Sequence, residues 1–519
     1  MRPSRQRIDG RHEGYVTYSQ TQSRYFAYPI LSTNHILRLL GKYTTLSYCA
    51  GDPKETEIIT VNGINFNAFA NLGHALRQAG HFWRDKFDGQ ELLLWADQIC
   101  INQSNPSERS HQVGFMAKIY ENATQVLVSL SSEGDRTGGL EWISRTIPPE
   151  VIYHAVDAFS RCSPGKPELL FRDFATGPIL EYYQYVSPVD DIHVSWTTFV
   201  ETVLESPWWS RAWIRQEFIL SPNAYLMASF EYIHWLTLAS VLGAVPPGFS
   251  RQLEMKNTRC SYIKCLVCAK QPDHERWYNR NVVRKLMAAK IEWSNGLRRT
   301  LMDWLNDVYT WKASDSRDMI YASLGLASES YGLRPDYVRN KSIEDVSIDV
   351  AIAINTHYGY LATLELLKYV DPVSTRPSWV PYWQSKQHFI SRNRGRKKHH
   401  KYPLLKSDLL GRKDGILAAH GTFHGAAYWS PDADEYGKRT LQTSKLEQLG
   451  ADGARPGDEV WMLYGCCYLT LLRPKGKYYR FINLVYGQSL APLTDNALIE
   501  EVIALTEANH PIISYIEIC

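Results

Sequence analysis

Polar side chains crowd the end of one apolar run in this chain. Leu92–Gln103 reads LLLWADQICINQ and brings Asp97, Gln98, Cys100, Asn102 and Gln103 close together. A short apolar run bounded by polar residues reads as a strand in a covered sheet, and open α/β sheets gather their binding groups at the carboxyl ends of strands. Asp97 at that mouth has the chemistry to hold ribose hydroxyls, or to cap the backbone of the turn through Asn102–Glu108. Asn102 and Gln103 read first as loop organisers. Cys100 would need a base, His74 or His111, to act as a nucleophile, and a cysteine at a strand end is more often a small buried hydrophobe.

Other clusters are less specific. Glu217 follows Arg211 and Arg215 in PWWSRAWIRQE, and by itself reads as a helix residue ion-paired to one of them or to Arg109. Cys260, Cys265 and Cys268 with His274 mimic zinc spacing, but a second ligand pair is missing, so no metal is expected. Arg392–Lys401 (RNRGRKKHHK) is the one dense basic run, a nuclear-import signal, a phosphate patch or a solvated loop. The chain shows no P-loop, Gly-rich dinucleotide fingerprint, HExxH or nucleophile-elbow serine, which removes most ATPase, zinc-protease and hydrolase readings.

The elements that must position these groups follow an α/β rhythm. After a polar leader, Ile58–Val61 and Ile64–Phe66 flank Asn62-Gly63, a hairpin dipeptide. Asn71 is expected to cap a helix with Leu72, Ala75, Leu76 and Ala79 on one face. The strand at Leu92 comes next, then a helix from Pro106 with Val113, Met116, Ile119, Tyr120 and Ala123 at helical spacing, then the β-branched run Gln125–Leu130. That alternation implies parallel pairing with helices on the faces. Residues 131–206 read as an insertion before the tryptophan-rich helix at Pro207. Gly415–Ala418 and Val460–Tyr464 read as short strands in a β-richer carboxyl-terminal part.

Bulk properties set wide limits. At 519 residues two or three domains are expected. The net charge of +3 is mild and makes a weak case for nucleic acid. The amino terminus lacks the apolar core of a secretory signal, and no run approaches the length of a spanning helix, Tyr232–Val245 being nearest. Nine cysteines, an odd number irregularly spaced, suggest reduced thiols and a cytoplasmic protein, with nuclear import a second location through residues 392–401.

The block Trp95-Ala96-Asp97 followed by Cys100-Ile101-Asn102-Gln103 resembles the central motif of the fungal heterokaryon-incompatibility (HET) domain. Tyr43–Tyr48 with Gly51-Asp52 resembles that family's opening strand. Glu108-Arg109, Gln112, Met116, Ile119-Tyr120 and Ala123 resemble its next helix, and Pro207–Glu217 its closing motif. Ser316–Leu326, Pro377–Pro381 and Gly457–Val460 resemble segments of full-length relatives. One departure is Ala50, where the family usually has tryptophan.

The resemblance implies a Toll/interleukin-receptor-like (TIR-like) doubly wound parallel sheet, followed by a helical middle region and a mixed α+β carboxyl-terminal region. The implied domains are a leader at 1–34, the HET domain at 35–230, a helical region at 231–330 and a mixed region at 331–519. Some TIR members cleave NAD with a glutamate four residues after a tryptophan that begins a helix. By that likeness Glu217 is the catalytic candidate, with Trp213, Tyr48, Ser47 and Asp97 binding substrate and Cys100, Asn102, Gln103, Glu108 and Arg109 forming the structural motif. Tyr48 and Ser47 either line the crevice or pack beneath it. NAD would be substrate, with no resident cofactor. The implied role is self/non-self discrimination leading to cell death, by enzymatic cleavage or as a non-enzymatic signalling module, through self-association or another incompatibility protein.

Overall fold

The computed structural model describes residues 14–18, 26–30, 41–61, 63–133, 135, 137–146, 198–244, 273–305, 311–339, 341–358, 361–367, 377–381, 383, 416–433, 439–442, 453–463, 466, 469–485 and 513–518. Cys260, Cys265, Cys268 and the basic run 392–401 lie outside them. The chain divides into two compact units, residues 1–298 with 335–338, and residues 299–334 with 339–519.

The first unit is built on a sheet of nine strands. They are β1 (Gly14–Tyr18), β2 (Phe26–Ile30), β3 (Thr44–Ser47), β4 (Thr56–Val61), β5 (Ile64–Phe69), β6 (Leu94–Trp95), β7 (Gln125–Ser129), β8 (Ala224–Ala228) and β9 (Glu231–His234). Their spatial order is β5-β4-β1-β2-β6-β3-β7-β8-β9. From β2 to β8 neighbours run parallel, whereas β1, β4 and β5 on one side and β9 on the other are antiparallel additions. The sheet is therefore mixed rather than wholly parallel. Hairpin connections such as the turn at Gly63, with φ +74°, return the chain antiparallel, and only the helical crossovers enforce parallel pairing. Strands β1 and β2 come from the segment read above as a leader.

Every residue of β3 and β7 is buried, as befits strands covered on both faces. Helix α1 (Ala70–Lys86) lays Leu72, Ala75, Leu76, Ala79 and Phe82 against Leu46, Leu94 and Leu127. The expected cap is displaced: Phe69 is the N-cap and offers no side-chain bond. Asn71 instead turns back and donates from Nδ2 to the Cys49 carbonyl at 2.9 Å. It also crowds Gly51, where a Cβ would come within 2.6 Å of Asn71 Nδ2 and φ is +79°. This contact pins the loop leaving β3, and Ala50 packs, partly buried, against the α1 core.

Among the described residues the further α-helices of this unit are α2 (Asp97–Cys100), α3 (Pro106–Val113), α4 (Met116–Glu121), α5 (Gly139–Thr146), α6 (Ile214–Ile219), α7 (Trp235–Ala244) and α8 (Asp273–Ser294). Among the described residues no helix is long and apolar enough to cross a membrane.

The second unit begins with α9 (Leu301–Leu305), α10 (Asp318–Leu324) and α11 (Ile343–Tyr358). Its β-rich part holds β10 (Leu417–Ala426), β11 (Tyr428–Ala433), β12 (Arg439–Gln442), β13 (Glu459–Leu463), β14 (Leu469–Lys475), β15 (Tyr478–Leu484) and β16 (Ile513–Ile518). Strands β10, β13, β14, β15 and β16 close into a barrel, and β11 and β12 pair separately. Trp379, Trp461, Leu463, Phe481, Ile516 and Ile518 fill one core, so the Pro377–Pro381 segment is held by burial of its tryptophan. At the barrel rim Asp458 accepts from Arg473 Nε at 2.7 Å and Nη2 at 2.9 Å, which holds the turn that enters β13.

Candidate functional site

The carboxyl ends of β3 and β6 deliver the site, as the sheet geometry predicts. Ser47 is the last residue of β3, with Tyr48 just beyond it, and Asp97 opens α2 two residues after β6 ends. Tyr48 donates its hydroxyl to Asp97 Oδ1 at 3.1 Å, and the Gln98 amide donates to the same oxygen at 2.7 Å. Asp97 therefore does not organise the Asn102–Glu108 turn with its side chain. That turn has its own devices. Asn105 caps α3 by accepting from the amides of Ser107 and Glu108, Glu108 Oε1 accepts from the Asn102 amide at 3.0 Å, and Asn102 Oδ1 accepts from Ser104. Gln103 donates only to the Asp97 carbonyl, at 3.4 Å.

Glu217 reaches this mouth from α6. It is 2% exposed, and its Oε2 accepts from the Ser47 hydroxyl and from Arg211 Nη1, the latter at 3.3 Å. Ser47 Oγ in turn accepts from the indole N–H of fully buried Trp208 at 2.7 Å. Both described side-chain contacts of the carboxylate fall on Oε2, so one oxygen is anchored while Oε1 carries none of them. Trp213 is the N-cap of α6, and its carbonyl accepts the Glu217 amide at 3.1 Å. The expected helical-turn spacing is thus present. The indole wired to the carboxylate's network is nevertheless Trp208, which sits in the turn Pro207–Ser210 that Ser206 caps.

Electrostatics bind these groups together. Burial pushes the Glu217 carboxyl above its ordinary value, and Arg211 and the Ser47 hydroxyl oppose that shift only in part. Burial disfavours charge on Arg211, yet the Glu217 and Asp97 carboxylates more than offset it and hold the guanidinium protonated. The Tyr48 phenol is raised by burial and then by Asp97, and the Tyr120 phenol by burial and then by Glu217. The mouth thus holds two carboxylates, one guanidinium and two protonated phenols within mutual electrostatic reach.

Cys100 is not activated. Desolvation pushes its thiol up to about 12, His74 Nε2 pairs with Ser131 Oγ at 3.3 Å, and the His111 ring packs on Phe115. Arg109 stacks on the Tyr337 ring at 3.9 Å, and neighbouring Ser110 Oγ accepts from the Tyr337 amide at 2.8 Å. The arginine on Glu217 is therefore Arg211, while Arg109 packs on Tyr337. Among the described residues no group of three or more ligating side chains could hold a metal ion. Sequence reasoning gives Trp208 and Tyr120 no site role, naming them only within helix or family-like segments, and gives Arg211 only an ion pair. Trp208 and Arg211 share the closing motif with Glu217, and that adjacency was their only signal.

This mouth is enclosed by the segment that known proteins share. Residues 43–217, from just before β3 to Glu217 itself, match the family model described as Heterokaryon incompatibility protein (HET). The chain is similar to Heterokaryon incompatibility protein 6, OR allele, of Neurospora crassa, 25% identical over 383 residues that make up 66% of this chain and 53% of that protein. It spans about half the length of that curated relative. No solved structure matches, so the TIR likeness stays an expectation.

Proposed function

We propose that the protein serves fungal self/non-self recognition and that its amino-terminal unit cleaves NAD at the mouth formed by Ser47, Tyr48, Asp97 and Glu217, leading to cell death when incompatible partners meet. The match to the incompatibility family supports the biological role. One observation carries the chemical reading: a buried helix carboxylate that meets the last residue of a parallel strand, with both described side-chain contacts on one oxygen.

In this reaction the bond from ribose C1′ to the nicotinamide nitrogen breaks, and its electron pair neutralises the cationic ring. No general acid is required for that departure. Water adds at C1′ and releases a proton, giving nicotinamide and ADP-ribose. The enzyme must hold a ribose hydroxyl and stabilise positive charge developing on the sugar, which one ionised carboxylate does electrostatically. Glu217 supplies it through Oε1. Tyr48 and Asp97 are the ribose-side contacts and Trp213 the flanking wall. Self-association, or another incompatibility protein, supplies the trigger, and the cytoplasm is the proposed location.

The test is nicotinamide release by purified protein after forced oligomerisation. Wild type releases it and Glu217→Ala does not, while both keep the same circular dichroism. A non-enzymatic signalling module is the second reading, favoured by the Arg211–Glu217 pair, since an ion pair also serves as pure scaffold. Under it, Glu217→Ala impairs assembly and neither form releases nicotinamide.

A further inference from the structure

The carboxyl-terminal end of α6 is closed by a lysine from far along the chain. Lys290, on α8, is 0% exposed. Its ammonium donates to the Phe218 carbonyl at 2.7 Å and the Ser221 carbonyl at 2.5 Å. It also sits over the rings of Phe218 and Trp235, at 4.9 and 5.2 Å. Its described contacts include no carboxylate.

A buried ammonium without a counter-ion is expensive, several kcal/mol by order of magnitude. Phe218 lies in the last turn of α6 and Ser221 two residues past its end, and carbonyls at a helix's carboxyl end have no partners within the helix and carry its partial negative charge. Two aromatic faces add cation–π attraction. The helix needs such help, because six residues are too few to persist alone, and its N-cap, Trp213, offers no side-chain bond. Phe218 directly follows Glu217, so Lys290 grips the backbone next to the carboxylate from behind, while Ser47 and Arg211 hold the carboxylate in front.

We infer that Lys290 is the positioning residue of the Glu217 helix, and that α8, which lies beyond the family-matched segment 43–217, is part of the functional site. Its kinetic consequence rests on the NAD-cleavage reading; its structural consequence does not.

The experiment uses the full chain with Lys290→Met, which keeps the volume and removes the donors, and Lys290→Gln, which restores two neutral N–H donors. Native-state hydrogen exchange is read at the amides of residues 216–221, with β3 and β7 as internal reference. Lys290→Met is expected to speed exchange at 216–221 at least tenfold while β3 and β7 stay protected, and Lys290→Gln to recover part of that loss. In nicotinamide release, Lys290→Met is expected to lower kcat about tenfold with KM within twofold, the split that misplacement of a reacting group gives and uniform destabilisation does not. Unchanged exchange at 216–221 in Lys290→Met overturns the inference, as does unchanged kcat in an active enzyme. If wild type releases no nicotinamide, the catalytic reading fails and exchange alone decides. Should Lys290→Met not fold, wild-type exchange decides: protection at 216–221 matching that of α8 supports the clamp, and exchange a hundredfold faster than α8 overturns it.

Discussion

At the scale of single residues the site is a contest between desolvation and charge. Burial raises the Glu217 carboxyl, and the Ser47 hydroxyl and Arg211 pull it back. The ionised form does the proposed chemistry, so nicotinamide release is expected to fall as pH drops through that raised value. Ser47→Ala removes one of the two restraints, and the acidic limb of the pH–rate profile should move to higher pH. The same change strips the Trp208 indole N–H of its buried acceptor, at a cost of about 1–3 kcal/mol in denaturant unfolding. Glu217→Gln preserves shape and should lower kcat by about a hundredfold or more; a smaller loss assigns the carboxylate to packing.

Short elements here depend on capping and on side chains borrowed from elsewhere. Helix α3 starts on Asn105, and Asn105→Ala should cost about 1 kcal/mol, measured as a lower denaturation midpoint. Helix α6 depends on Lys290, and the burial of that lysine has its own signature in pH. Burial drives the lysine down from 10.5 to about 7, so between those values the unfolded chain binds more protons than the native one and stability rises with pH. Below about 7 that gain is absent. His234, which also faces Lys290, is lowered to about 4 and titrates outside the window. Lys290→Met should flatten unfolding free energy against pH between 7 and 10; an unchanged slope would show that the lysine is not buried in solution.

At the scale of the whole molecule each unit keeps its own core. In the second unit Trp461 is 5% exposed and packs between Phe423 and Tyr479, while its indole donates to Glu459 at 2.8 Å. Trp461→Ala should cost about 3–5 kcal/mol, read as early loss of near-ultraviolet dichroism on denaturation. Equal stability of wild type and variant would mean that the barrel core closes without the indole.

Strands β4 to β7 and helix α1 were legible from periodicity, because buried strands are apolar runs and one-sided helices repeat every three or four residues; the single helix expected from Pro106 breaks after Val113 into α3 and α4, and α2 was not expected. A polar cluster at a strand's end was legible too, through the LLLWADQICINQ run. The role of Asn71 was not: its side chain is committed to the Cys49 carbonyl across the loop, and local rules place asparagine at a cap. Nor did periodicity reveal β1 and β2: they pair with each other, but their places in the sheet rest on β4 and β6, further along the chain. Sequence alone determined which residue types stand at the sheet mouth and that Glu217 lies one helical turn beyond Trp213. Only the tertiary structure decided that Glu217 meets Ser47 and Arg211, that Trp208 is the indole behind them, and that Lys290 grips the helix from the rear. Hydrogen bonds and desolvation depend on distances in space, and residues far apart along the chain acquire those distances only when the sheet and its helices close around them.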